Sequence, residues 1–129
     1  MIRLGSLAGY PFDGPRLLAG WIAPRSAAVY AITYKPDQAK DQHAVIYVSH
    51  SGDLSLERFP FKHPKATSWI KRAGSKWKLY ICTYEIPGGT PSHRDQITRE
   101  LISVYHPSCN DQQYDPTWRP EWIGGSGTG

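Results

Sequence analysis

Two stretches decide the fold: residues 27–34, AAVYAITY, and residues 44–49, AVIYVS. Both are short, apolar and rich in β-branched and aromatic residues, the composition of a strand. Side chains alternate along a strand, so Tyr30, Ile32 and Tyr34 are expected on one face of the first. Between the two stretches, Lys35 to His43 is polar, with Pro36, Asp37 and Asp41, which predicts a hairpin loop. Strands joined so briefly pair antiparallel.

Working outward, Pro64 to Ala73 predicts a helix. Pro64 suits a first turn, Ala66, Trp69, Ile70 and Ala73 repeat at helical spacing, and Gly74 is placed to stop it. Lys76 to Ile86 predicts a third strand. Gly88, Gly89 and Pro91 break the chain, and Ser92-x-x-Asp95 has the form of a capping box. A second helix follows, with Ile97, Leu101, Val104 and Tyr105 as its apolar stripe, ending at Pro107. The segment Leu54 to Arg58 starts a further turn of helix before Pro60. On the N-terminal side, residues 1–26 are rich in Gly and Pro and are expected to be irregular, apart from one short helix around Pro15 to Ala19. Residues 27–110 form the expected domain, 111–123 a C-terminal extension in which Trp118 and Trp122 fold back, and 124–129 a Gly-rich tail. The predicted fold is α+β: a small three-stranded antiparallel sheet flanked by helices.

A chain of 129 residues fits one domain with a real core. No apolar run approaches the roughly 20 residues that span a bilayer, and the first 20 residues lack a signal-peptide pattern, so a cytoplasmic, non-membrane protein is expected. Cys82 and Cys109 are the only cysteines, and two buried thiols are the plain expectation. The net charge is +4, and its distribution carries more information. From Arg58 to Tyr84 every formal charge is basic: Arg58, Lys62, Lys65, Lys71, Arg72, Lys76 and Lys78. Phe59, Phe61, Trp69, Trp77 and Tyr80 lie among them. Basic residues interleaved with aromatics suit a phosphate backbone with stacked bases, and equally a solvated face over an aromatic core.

Ala28-Val29-Tyr30 and Tyr47-Val48-Ser49, the latter running on as HSGDL, resemble the paired tripeptides of the GIY-YIG nuclease superfamily. Glu100 to Asn110 is similar to the closing helix and Pro-x-x-Asn turn of that family, and Phe59 to His63, with Lys65 and Trp69, to one bacterial subgroup. The resemblance covers about residues 27–110. It implies a domain acting on nucleic acid, DNA before RNA, with a protein partner or second domain supplying specificity. In an active member it implies phosphodiester hydrolysis with Mg²⁺ or Mn²⁺ held by a helix carboxylate, here Glu100. It assigns catalytic positions to Tyr30, Tyr47, His50, Arg58, His63 and Asn110, while the basic run itself supplies the expected backbone contacts, Lys62, Lys65, Lys71, Arg72, Lys76 and Lys78.

Four departures weaken the chemistry. Ala28 and Ser49 stand where the family has glycine. Glu57 occupies the family's arginine position, and Arg58 follows one residue, or about 100°, later on a helix. The metal carboxylate position falls at Thr98, and Glu100 lies about 160° away on the helix wheel. A helix presenting the Thr98 hydroxyl, and no acid, to the tyrosines is therefore expected. A binding domain that hydrolyses little is the leading expectation. An active metal-dependent endonuclease, with no cofactor needed if degenerate, and a structural component of an assembly are the alternatives.

Overall fold

The computed structural model describes residues 1–5, 9–37, 39–110 and 122–123. Along the chain come β1 (Ile2–Leu4), β2 (Tyr10–Leu17), β3 (Ala28–Tyr34), β4 (His43–Ser51), α1 (Ala66–Ala73), β5 (Leu79–Glu85), α2 (Pro91–Tyr105) and β6 (Trp122–Ile123). Short 3-10 turns sit at Leu54–Leu56 and Lys76–Lys78. The strands lie in the order β1-β2-β5-β3-β4-β6, and every neighbouring pair is antiparallel. The fold is α+β.

The three expected strands are present as the middle of the sheet, with β3 between β4 and β5. The expected sheet size is nevertheless wrong. Residues 2–17, expected to be irregular, supply two more full strands, and no helix forms around Pro15. Glycine and proline concealed them. The β2–β5 register shifts between Asp13 and Arg16, so Gly14 and Pro15 sit in a bulge, where a sheet tolerates them. Gly14 has φ +110°, and a Cβ there would lie 2.6 Å from the Ile81 carbonyl oxygen. That close approach requires glycine.

A second bulge sets the site. Ile32 pairs with Tyr47, but Thr33 pairs with Val45, leaving Ile46 as the extra residue of β4. Ile46 and Tyr47 therefore both enter the core layer under α1. Below the bulge, Tyr30 pairs with Ser49. Opposed residues share a face, so Tyr30, Ile32, Tyr47 and Ser49 share this one, and the two phenols meet diagonally.

The sheet thus has two covered faces. On one, α1 buries Ala66, Trp69 and Ala73 against Tyr30, Ile32, Tyr47, Leu79 and Ile81. On the other, α2 buries Ile97, Leu101 and Tyr105 against Val29, Ala31, Val45, Val48 and Cys82. Both cysteines are free and buried.

The helix ends differ slightly from expectation. Helix α1 starts at Ala66, two residues past Pro64, and the preceding turn is closed by His63, whose Nδ1 accepts the Lys65 N–H at 3.0 Å. Gly74 stops it as expected, with φ +84° and its N–H on the Ile70 carbonyl. Helix α2 is capped by Thr90, not Ser92. The Thr90 hydroxyl accepts the His93 N–H at 3.1 Å, because Pro91 occupies the first helical position and moves the cap one residue before it. The expected extension at 111–123 lies outside the described residues except for Trp122 and Ile123, whose backbone pairs with His43 and Ala44 on β4. The expected tail at 124–129 also lies outside them. Among the described residues no helix is long and apolar enough to cross a membrane.

Candidate functional site

Period-two geometry and the β4 bulge bring Tyr30 and Tyr47 to one place, with ring centroids 6.1 Å apart. His63 joins them from the loop before α1: its Nε2 lies 2.9 Å from the Tyr30 hydroxyl. Phe59 and Trp69 close the cluster, with Trp69 4.6 Å and Phe59 5.3 Å from the His63 ring. The result is an aromatic box and not an open cleft. Tyr30 is 1% exposed, Tyr47 9% and His63 7%.

One backbone hydrogen bond fixes the tautomer of His63. A backbone N–H can only donate, so the Lys65 contact makes Nδ1 of His63 the bare nitrogen. In the neutral ring Nε2 then carries the hydrogen and donates to the Tyr30 oxygen. Tyr30 must send its own proton elsewhere, and Tyr47 and Ser49 both engage it by hydrogen bonds. Burial pushes both phenols above their ordinary range. Burial also holds His63 down at about 4, with Arg58 and then Lys65 adding to it. At neutral pH the phenols and His63 form a chain of uncharged, hydrogen-bonded groups, while the buried Trp69 indole N–H beside them has no partner. His63 has no lone pair aimed at Tyr30, so it cannot take that phenol's proton.

Glu57 stands at the edge of the box. Its carboxylate accepts the Ser51 hydroxyl at 3.0 Å and lies 3.9 Å from His63 Nε2. Arg58 follows in a left-handed conformation, φ +64°, and its side chain is exposed. A carboxylate therefore occupies the place where a phosphate-binding arginine would be needed, and it repels the phosphate that the arginine would attract.

The remaining candidates lie elsewhere. His50 pairs with Val29 on the opposite face, where its Nε2 is 3.6 Å from Asp95 of α2. Glu100 is also beyond the sheet, on α2, and its carboxylate accepts the Tyr10 hydroxyl. The expectation that α2 offers Thr98 to the phenols is corrected as well. Thr98 is buried on the far face, with its hydroxyl on the Arg94 carbonyl at 2.8 Å. The reason is topological: α1 and α2 cover opposite faces, so nothing on α2 reaches the phenol face. The residues present do not fit a catalytic Mg²⁺ or Mn²⁺ beside the tyrosines: Glu100 is across the sheet, Glu57 at the box edge is engaged by Ser51, and among the described residues no three His, Cys, Asp or Glu side chains gather to hold an ion.

Asn110 acts on the backbone. Its Oδ1 accepts the Val48 N–H at 2.9 Å and its Nδ2 donates to the Val48 carbonyl at 2.8 Å. With Cys109, whose N–H donates to the Ile46 carbonyl, it substitutes for a partner strand along the open side of β4. This bracing holds Tyr47, the residue between, in its bulged position.

Sequence reasoning named Tyr30, Tyr47 and His63 but missed the Ser51–Glu57 link and the box-forming role of Phe59 and Trp69. The register gave a signal for Ser49, since it must oppose Tyr30 once the strands pair. No one-dimensional signal placed Phe59.

The basic residues gather outside the box. Arg58 to Lys78 crosses the α1 face as one continuous segment, with seven basic residues and no acidic one. Helix α2, by contrast, carries Arg94, Asp95, Arg99 and Glu100, whose formal charges cancel. Lys76 Nζ lies over two rings, 5.9 Å from the Phe61 centroid and 5.2 Å from that of Trp77. No family model, curated protein or solved structure matches the chain, so the resemblance to the GIY-YIG superfamily rests on its sequence segments alone.

Proposed function

We propose that this chain is a nucleic-acid-binding domain that uses the α1 face and does not hydrolyse its ligand. One observation carries the reading: the segment from Arg58 to Lys78, which includes α1, carries seven cations and no anion, with Glu57 the acid at its start. Such a surface binds a phosphate backbone by releasing its condensed counterions. Lys62, Lys65, Lys71, Arg72, Lys76 and Lys78 supply the contacts.

Hydrolysis is set aside on three grounds. The phenols are buried, His63 donates toward Tyr30 instead of accepting, and the Glu100 carboxylate lies across the sheet. The buried box then serves as the rigid floor that holds α1 and its loop in place.

Filter binding of a labelled mixed-sequence oligonucleotide tests this reading. Retention at low salt that weakens steeply as salt rises is expected, with no plasmid nicking in Mg²⁺ or Mn²⁺. Absence of binding at low salt overturns the reading. Metal-dependent nicking that disappears in Tyr47→Phe would restore the endonuclease alternative.

A further inference from the structure

Phosphate contacts alone leave one feature of the basic face unused. Trp77 is 61% exposed. An indole is among the most rewarding side chains to bury, and here most of its surface stays in water. Its backbone is firmly held. Ser75 accepts the Trp77 N–H on its hydroxyl at 3.2 Å and the Lys78 N–H on its carbonyl at 3.2 Å. The Lys78 carbonyl in turn accepts the Lys35 N–H at 3.0 Å, tying the turn to the end of β3. Lysines precede and follow the ring, and the Lys76 ammonium lies over it.

We infer that Trp77 is a stacking platform for an unpaired base, with Lys76 and Lys78 on the flanking phosphates, so that the ligand of the basic face is a single strand. The inference rests on the nucleic-acid reading and narrows it. Every base has a π face, so an exposed indole on a held turn binds single strands without reading their sequence. In a duplex those faces are already stacked, and a surface indole reaches one only if the base is first extruded. The position suits a platform, since the 3-10 turn directly follows α1, whose last turn carries Lys71 and Arg72.

Fluorescence anisotropy with two labelled probes distinguishes the ligands: an oligo-dT of about 15 nucleotides, within the usual span of such sites, and the same strand paired with oligo-dA. The single strand is expected to bind about tenfold more tightly than the duplex. Trp77→Ala should weaken single-strand binding about tenfold and leave duplex binding unchanged, while Trp77→Phe retains most of the affinity. Equal single-strand affinity for Trp77→Ala and the parent, with the salt dependence intact, overturns the platform and leaves the nucleic-acid reading standing. Failure of the parent to bind either probe at low salt overturns both.

Discussion

The two faces of this sheet are built from the same strands by alternate residues, yet they differ in kind. Under α1 lie two phenols, an imidazole, an indole and a phenyl ring, covered by a segment whose charges are all positive. Under α2 lie Val29, Ala31, Val45, Val48 and Cys82, covered by a helix whose formal charges cancel. The α2 face also holds the rings of Phe12, Tyr84 and Tyr105, and its polar contacts include the Tyr10–Glu100, His50–Asp95 and Arg99–Asp95 pairs. The α1 face differs in joining a buried phenol–imidazole network to a segment whose charges are all basic. The positions that the GIY-YIG resemblance assigns to chemistry are divided between the faces, with Tyr30, Tyr47 and His63 on one and His50 and Glu100 on the other.

Removing the centre of the richer face should have the largest effect. Trp69 is fully buried and contacts Tyr47, Phe59 and His63. Trp69→Ala is expected to cost about 3–5 kcal/mol by urea denaturation. It should also abolish oligonucleotide binding, since α1 loses its seat. Leu101→Ala, its counterpart under α2, should lower stability but spare binding wherever the protein is still folded. Equal loss of binding in both variants would erase the distinction between the faces.

Acid separates the faces more gently. His63 titrates at about 4 in the folded chain, against an ordinary value near 6.5. Between those values the unfolded chain holds a proton that the native one refuses. The stability this provides is complete above pH 6.5 and drains away as pH falls toward 4. Burial disfavours the proton most, and Arg58 and then Lys65 add to it. His43, also lowered by burial, acts in the same direction from the far end of the sheet. The parent should therefore lose on the order of 2 kcal/mol between pH 7 and pH 4.5. His63→Leu should flatten most of that slope. An unchanged slope in His63→Leu would show that the box contributes nothing to the pH response.

Much of the sheet was legible in sequence because its middle strands alternate cleanly and its helices carry regular stripes. The phenol pair followed from the same alternation. The two outer strands were hidden by Gly14 and Pro15, which mark a loop by composition and a bulge by register. The split of α1 and α2 between faces was illegible for a deeper reason. A helix wheel states which residues of a helix turn together, but not which side of the sheet the helix covers. Hence Thr98 and Glu100 were assigned correctly to different sides of α2, while the phenols lay beyond the reach of both. His63 was visible as a residue, but its tautomer depends on the Lys65 amide, which only the folded turn reveals.

The central claim is that the α1 face, and not the α2 face, meets the phosphate backbone. The most direct test is the salt dependence of oligo-dT affinity in Lys71→Ala/Lys76→Ala/Lys78→Ala, compared with Arg99→Ala on exposed α2 surface. The account predicts that the triple variant loses roughly 2 from the slope of log affinity against log salt, at about 0.7 per phosphate contact on a single strand. Arg99→Ala should match the parent. A triple variant with the parent's slope, or an Arg99→Ala variant that loses as much per charge, would contradict it.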